Sequence, residues 1–162
     1  MKIHNLVLWA VALLVLGFVN FLTYQREDLA VNGKVILLEL APVDPRSLIQ
    51  GDYMSLRYAL SEEIASRTDL ERGFVVVRLD ANNVAQYLRI YDSITPLAGD
   101  EILLPFRQEA FSIGVGPKSF FFQEGDAKYY NNAKYGELRV SESGQVLLVG
   151  LRGEGFDVLG PP

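Results

Sequence analysis

Residues 73–92 read GFVVVRLDANNVAQYLRIYD: two apolar runs flank Ala81-Asn82-Asn83. β-Branched and aromatic side chains fill both runs, and the asparagines suit a tight loop, so the stretch predicts a β-hairpin. Working outward, KVILLEL (34–40) is an almost unbroken apolar run, the pattern of a central strand. YMSLRYAL (53–60) alternates: Met54, Leu56, Tyr58 and Leu60 face one way, and Tyr53, Ser55, Arg57 and Ala59 the other. ILLPFR (102–107), EAFSIGV (109–115), KSFFFQ (118–123), GELRVS (136–141) and QVLLVGL (145–151) complete eight or nine strands. Pro105 predicts an edge or a bulge in its strand, and Ser143-Gly144 a turn between the last two. Helical signals are short. SEEIASRTDLERG (61–73) offers Ser61 as N-cap and Gly73 as exit; DAKYYNNAKYG (126–136) offers Asp126 as N-cap and Gly136 as stop.

Ahead of these strands, LVLWAVALLVLGFVNFLTY (6–24) carries no charge. As a helix it would span about 28 Å, close to the roughly 30 Å hydrocarbon core of a bilayer. Twelve of its residues are Leu, Val or Phe, and Trp9 and Tyr24 sit near the two ends as interfacial aromatics do. A cleaved signal peptide would have a shorter apolar region and an A-x-A-like site, for which TYQREDLAVNG offers only poor matches. The reading is an uncleaved anchor. The fold class expected is mainly β: one N-terminal transmembrane helix, then an antiparallel β-barrel or sandwich with two short helices. Residues 1–29 form the cytoplasmic tip and anchor, and 30–162 the extracytoplasmic domain. Lys2 and the amino terminus flank one end, whereas Arg26 at the other is offset by Glu27 and Asp28. The expected placement is single-pass in the inner (cytoplasmic) membrane, with the domain in the periplasm and the lipid bilayer as first partner.

Composition excludes several functions. A net charge of −5 argues against nucleic acid as a partner. The absence of cysteine rules out disulfides, thiolate catalysis and zinc–thiolate sites. His4 is the one histidine and precedes the anchor, so the domain holds no His-based triad. No cofactor or metal is expected.

The segment PVDPRSLIQGDYMSLRY (42–58) is organised. Asp44 suits a helical N-cap, Pro45 position N1, and Gly51 a left-handed turn end, while the Asp52 carboxylate suits nearby backbone amides. Tyr53 and Tyr58 are five apart, so on a strand they point to opposite faces, one to the core and one outward. This wording, Gly51-Asp52-Tyr53 with Leu56 and Tyr58 after Asp44-Pro45-Arg46, resembles the GDYXXLXY domain family. A second block, FFFQEGDAKYYNNAKYGELRV (120–140), is similar to that family's later signature. The resemblance implies a membrane-anchored bacterial protein, often encoded beside multi-span membrane proteins, and carries no activity with it.

The function expected is therefore non-enzymatic binding of a partner, an integral multi-span membrane protein. Arg46, Tyr53, Arg57, Tyr129, Tyr130 and Tyr135 are the contact candidates, because tyrosine and arginine dominate interface hot spots. Each also reads as a core or turn residue. Asn20 could bond a partner helix. The alternative is a small-ligand or glycan-binding module, with Phe120–Phe122 as an aromatic surface; three consecutive aromatics on a strand alternate faces, so at least one is core. A third reading is a hydrolase. It would pair Ser47 or Ser55 with Lys118 or Lys134, or draw a carboxylate pair from Asp52, Glu124, Asp126 and Glu137.

Overall fold

A computed structural model describes residues 2–41, 49–50, 53–109, 112–141 and 143–162. Its first element is a single helix, α1 (Lys2–Asn32), unbroken through Gly17 and the charged Arg26–Asp28 segment. The polar side chains in its apolar stretch bond inside the helix: Asn20 Nδ2 donates to Leu16 O at 2.8 Å and Thr23 Oγ1 to Val19 O at 3.0 Å. Val7–Asn32 is long and apolar enough to cross a bilayer, and none of its most apolar window is buried against the rest of the protein.

One residue, Gly33, separates α1 from β1 (Lys34–Glu39). Then follow β2 (Ile49–Gln50), β3 (Tyr53–Ser55), α2 (Ala59–Ala65), β4 (Arg72–Leu79), β5 (Ala85–Ile90), β6 (Glu101–Glu109), β7 (Ser112–Gly114) and β8 (Ser119–Phe121). A short 3-10 turn (Asp126–Tyr129) precedes β9 (Tyr135–Val140), β10 (Val146–Arg152) and β11 (Val158–Leu159). The strands form three antiparallel sheets, in the orders β1-β9-β10-β11, β2-β3-β8 and β5-β4-β6-β7. β1 joins them: Leu37 bridges Val84 and Leu40 bridges Tyr58. Ala41 N adds a bond to Arg57 O at 2.8 Å. The mainly β class expected from the sequence is what the chain adopts, with the sheets curled around one core.

That core takes Ile36, Leu38 and Leu40 from β1, Val75 and Val77 from β4, Leu104 and Phe106 from β6, and Leu138 from β9. β1 also buries Leu37 on its other side, which explains the unbroken apolar run. Bulges coil the sheets by leaving one residue unpaired: the β4–β5 register skips Leu88, and the β9–β10 register skips Val149. Both unpaired side chains are exposed.

The hairpin at 73–92 forms as the sequence predicts. Asp80 Oδ1 accepts from Asn82 N at 2.8 Å and Val84 N at 2.9 Å, and Asn83 is left-handed with φ 63°. Pro105 lies opposite Phe74 of β4, whereas β7 pairs only with Arg107–Glu109, so the strand has a free edge at the proline.

Three local expectations need correction. The alternating strand 53–60 ends early, and α2 starts at Ala59 with Tyr58, not Ser61, before it. The bridge to Leu40 holds Tyr58 extended, and the chain turns directly after it. Leu60 is buried all the same, one turn from Ile64 on the inner face of α2. Gly73 does not end a helix; it lies in β4 opposite Phe106, where a Cβ would stand 2.9 Å from the Phe106 ring. Finally, the second short helix is a single 3-10 turn, Asp126–Tyr129, that does not run on to Gly136; left-handed Gly125 (φ 89°) precedes it, with no side-chain cap from Asp126. Asn131 and Asn132 are poor helix formers, and pairing of β9 with β1 claims the chain from Tyr135, including Gly136.

Candidate functional site

Of the motif, Tyr53, Leu56 and Tyr58 are described; Asp44, Pro45, Arg46, Ser47, Gly51 and Asp52 lie outside the described residues. The two tyrosines divide as their spacing implies. Tyr58 is buried, and its hydroxyl donates to Pro117 O at 2.7 Å. Burial pushes its phenol well above the ordinary value. The ring is held between two glycines: a Cβ at Gly116 would stand 3.3 Å from Cε2, and one at Gly136 3.1 Å from Cε1. Tyr58 thus fastens the motif strand to the β7–β8 connection and to β9, which belongs to the second signature block. Tyr53 points outward on β3, half-buried, its ring 5.8 Å from that of exposed Phe121 on β8.

Beside Tyr58 lies a cleft of about 420 Å³. One wall is the motif arm, Ser55 to Tyr58; the others are α2, through Ser61, Glu62 and Ala65, and the segment Ser112–Gly116 with Lys118. Arg57 lies exposed at its lip and makes no ion pair among the described residues. Lys118 is less free. Its ammonium pairs with the Glu109 carboxylate and donates to Ser112 Oγ at 3.2 Å.

The other contact candidates fall in separate surroundings. Tyr130 is a core residue, its ring 5.0 Å from Phe120 and 5.3 Å from Phe122. Tyr129 is half-buried beneath the Lys128 ammonium. Tyr135 stacks on Phe156 at 5.1 Å, at the start of β9. Phe120 and Phe122 pack inward and Phe121 outward, so the three aromatics do not share one surface.

Three of the hydrolytic candidates, Lys118, Lys134 and Glu137, are engaged elsewhere, whereas Ser55 lines the cleft. A base lysine needs a dry, unpaired setting, but the Lys118 side chain is 39% exposed and salt-bridged. Lys134 pairs with Glu39 at 3.0 Å, and that carboxylate holds its ammonium above the ordinary range. Glu137 is buried, accepts from Arg152 Nε at 2.7 Å and lies 3.7 Å from Arg139. It is locked in an ion-pair group on the face of β9, whereas Glu124 is exposed after β8 and Asp126 opens the 3-10 turn.

Sequence reasoning missed the Ser112–Lys118–Glu109 group and the role of the glycines around Tyr58. For Gly116 and Lys118 the signal available was Gly114-Val115-Gly116-Pro117-Lys118, where small residues flank one buried valine.

These features define a class: a small, mainly β domain carried directly on an apolar N-terminal helix, with a tyrosine-fastened motif strand lining a surface cleft. The chain belongs to the GDYXXLXY protein family, whose model matches residues 15–151. No curated protein and no solved structure matches it.

Proposed function

We propose that the chain is a single-pass inner-membrane protein whose periplasmic, non-enzymatic domain binds an integral membrane protein. The observation that carries this reading is Arg57, exposed and without an ion pair among the described residues at the lip of a cleft that the family motif itself lines. Arginine on a formed concave surface is a typical hot-spot arrangement. Two further features support it. The α1 helix leaves its apolar surface uncovered, available to lipid or to other helices. Lys118, Lys134 and Glu137, three of the groups that hydrolysis would draw on, are held in ion pairs.

The test is crosslinked recovery from native bacterial membranes. A multi-span protein recovered with wild type and lost with Arg57→Ala, at unchanged melting temperature, is the expected result. Equal recovery with both proteins would remove the cleft from the interface. For orientation, alkaline phosphatase fused after Pro162 should be active; an inactive fusion would place the domain in the cytoplasm.

A second reading has its own support. A volume of about 420 Å³ lies within the usual range for small-molecule pockets, so the same cleft suits a small ligand or glycan. A ligand that co-purifies with the wild-type protein and not with Arg57→Ala would favour it.

A further inference from the structure

A crevice separates the last turns of α1 from the body of the domain. Its helix side runs from Tyr24 through Asp28 to Gly33; its domain side includes Leu97, Gly99 and the Ser141–Gln145 turn. Tyr24 closes the uncharged run, and Tyr24 to Asn32 spans about 12 Å of helix axis. If α1 crosses the bilayer with Tyr24 at the hydrocarbon boundary, the roughly three to five residues after it pass through the headgroup layer, which is about 5–8 Å deep on each side, and the last turn emerges from it. The domain edge that faces these turns across the crevice then stands beside the membrane surface.

On that edge the connection between β5 and β6, residues 91–100, presents Ile94. Its side chain is 86% exposed, the most exposed large apolar group among the described residues. Leu97 and Phe74 add further exposed apolar surface alongside; Tyr91 N bonds Phe74 O at 2.9 Å, and Phe74 packs near Gly144 of the β9–β10 turn. The loop is well built. Asp92 Oδ1 accepts from Ile94 N at 3.0 Å and Thr95 N at 2.9 Å, and Oδ2 from Thr95 Oγ1 at 2.9 Å. Ala98 N donates to Glu101 Oε2 at 3.2 Å, and Arg89 pairs with the same carboxylate at 3.0 Å. A loop so tied holds Ile94 outward.

We infer that the 91–100 loop is a second membrane contact, with Ile94 inserted into the leaflet beside the anchor. The inference rests on the reading of α1 as a membrane span. The occupant is lipid and not a soluble partner, because Leu97 of the same loop lines the crevice against the turns of α1 that directly follow its apolar run. The loop contains no Lys or Arg, and Asp92 and Asp100 bear its only charges, so contact is apolar and needs no anionic lipid.

The chain has no cysteine, so single cysteines can report position in the intact protein. Ile94→Cys, Leu14→Cys in α1 and Phe121→Cys on the outer face of β8 would each carry an environment-sensitive fluorophore. All three side chains are exposed, so the substitutions spare the core. The full chain is reconstituted in phosphatidylcholine vesicles with nitroxide-labelled lipid. Strong quenching at 14 and 94, several-fold above that at 121, is the expected result. Quenching at 14 with position 94 no different from 121 would overturn the loop contact and leave the anchor standing. No quenching at 14 would remove the anchor and the loop contact together. Quenching at 94 only when phosphatidylglycerol is added would overturn the apolar mode of binding.

Discussion

Removing one oxygen from Tyr58 tests the account of the motif most directly. In Tyr58→Phe the ring keeps its place between Gly116 and Gly136, but the donor to Pro117 O is lost. Leaving a buried acceptor unpaired costs about 1–3 kcal/mol. Pro117 is only half-buried, so water can partly replace the donor, and a loss of about 1–1.5 kcal/mol is expected. For a domain of this size that lowers the melting temperature by about 3–7 °C. The pH dependence sharpens the test. Burial holds the phenol of the folded state above its ordinary value, whereas an unfolded tyrosine ionises near pH 10. Above that pH the unfolded state releases a proton that the folded state keeps, so this residue's contribution falls as pH rises, by about 1.4 kcal/mol per unit at most. Phenylalanine has no such term. The gap between wild type and Tyr58→Phe should thus be widest below pH 9 and nearly closed at pH 11. Urea titrations at matched pH, followed by circular dichroism, measure it. Equal stability at pH 7, or a gap that does not change with pH, would refute the fastening role.

Gly136→Ala drives a Cβ against the Tyr58 ring and should cost about 1–3 kcal/mol; combined with Tyr58→Leu the penalty should be less than additive, and additive melting curves would deny the contact. The Asp92 carboxyl is held down to about 2 by the backbone and hydroxyl bonds of Thr95 and the backbone of Ile94, so its hold on the loop is complete above pH 4 and lost as pH falls toward 2. An NMR titration of that carboxyl with a midpoint near the ordinary 4 would contradict the loop geometry. A fragment beginning at Gln25 should be soluble and β-rich, since the core draws nothing from the apolar part of α1; a spectrum dominated by helix, or solubility only in detergent, would count against this.

The legible parts of this fold were those governed by local pattern. Alternation placed Met54, Leu56 and Tyr58 in the core, and the Ala81–Asn83 loop and Ser143-Gly144 turn follow from residues that tolerate left-handed backbone. The errors have a common source, because glycines read as helix ends serve as room for a distant ring. Gly73 makes way for Phe106, and Gly136 for Tyr58 from 78 positions earlier in the chain. Nothing within the window 126–136 announces that contact. The cleft was illegible for the same reason: Arg57, Glu62, Ser112 and Lys118 meet only once β3 pairs with β8 and α2 packs beside β7. Of the six contact candidates, side-chain type alone could not separate exposed Arg57 from buried Tyr130.

The single residue between α1 and β1 makes the joint a fixed angular coupling. Gly33 N bonds Leu29 O at 2.9 Å, its carbonyl accepts from Arg139 at 3.3 Å, and a Cβ there would collide with both Leu29 and Arg139. No swivel separates helix from sheet, so the azimuth of the domain about the helix axis is set by the phase of the helix. One alanine inserted between Gln25 and Asn32 would turn the whole domain by about 100° and raise it by about 1.5 Å. Seven inserted residues would nearly restore the original heading at about 10 Å greater height. A docking process that reads direction should fail with the first insertion and recover with the second, whereas one that tolerates any heading would respond to height alone.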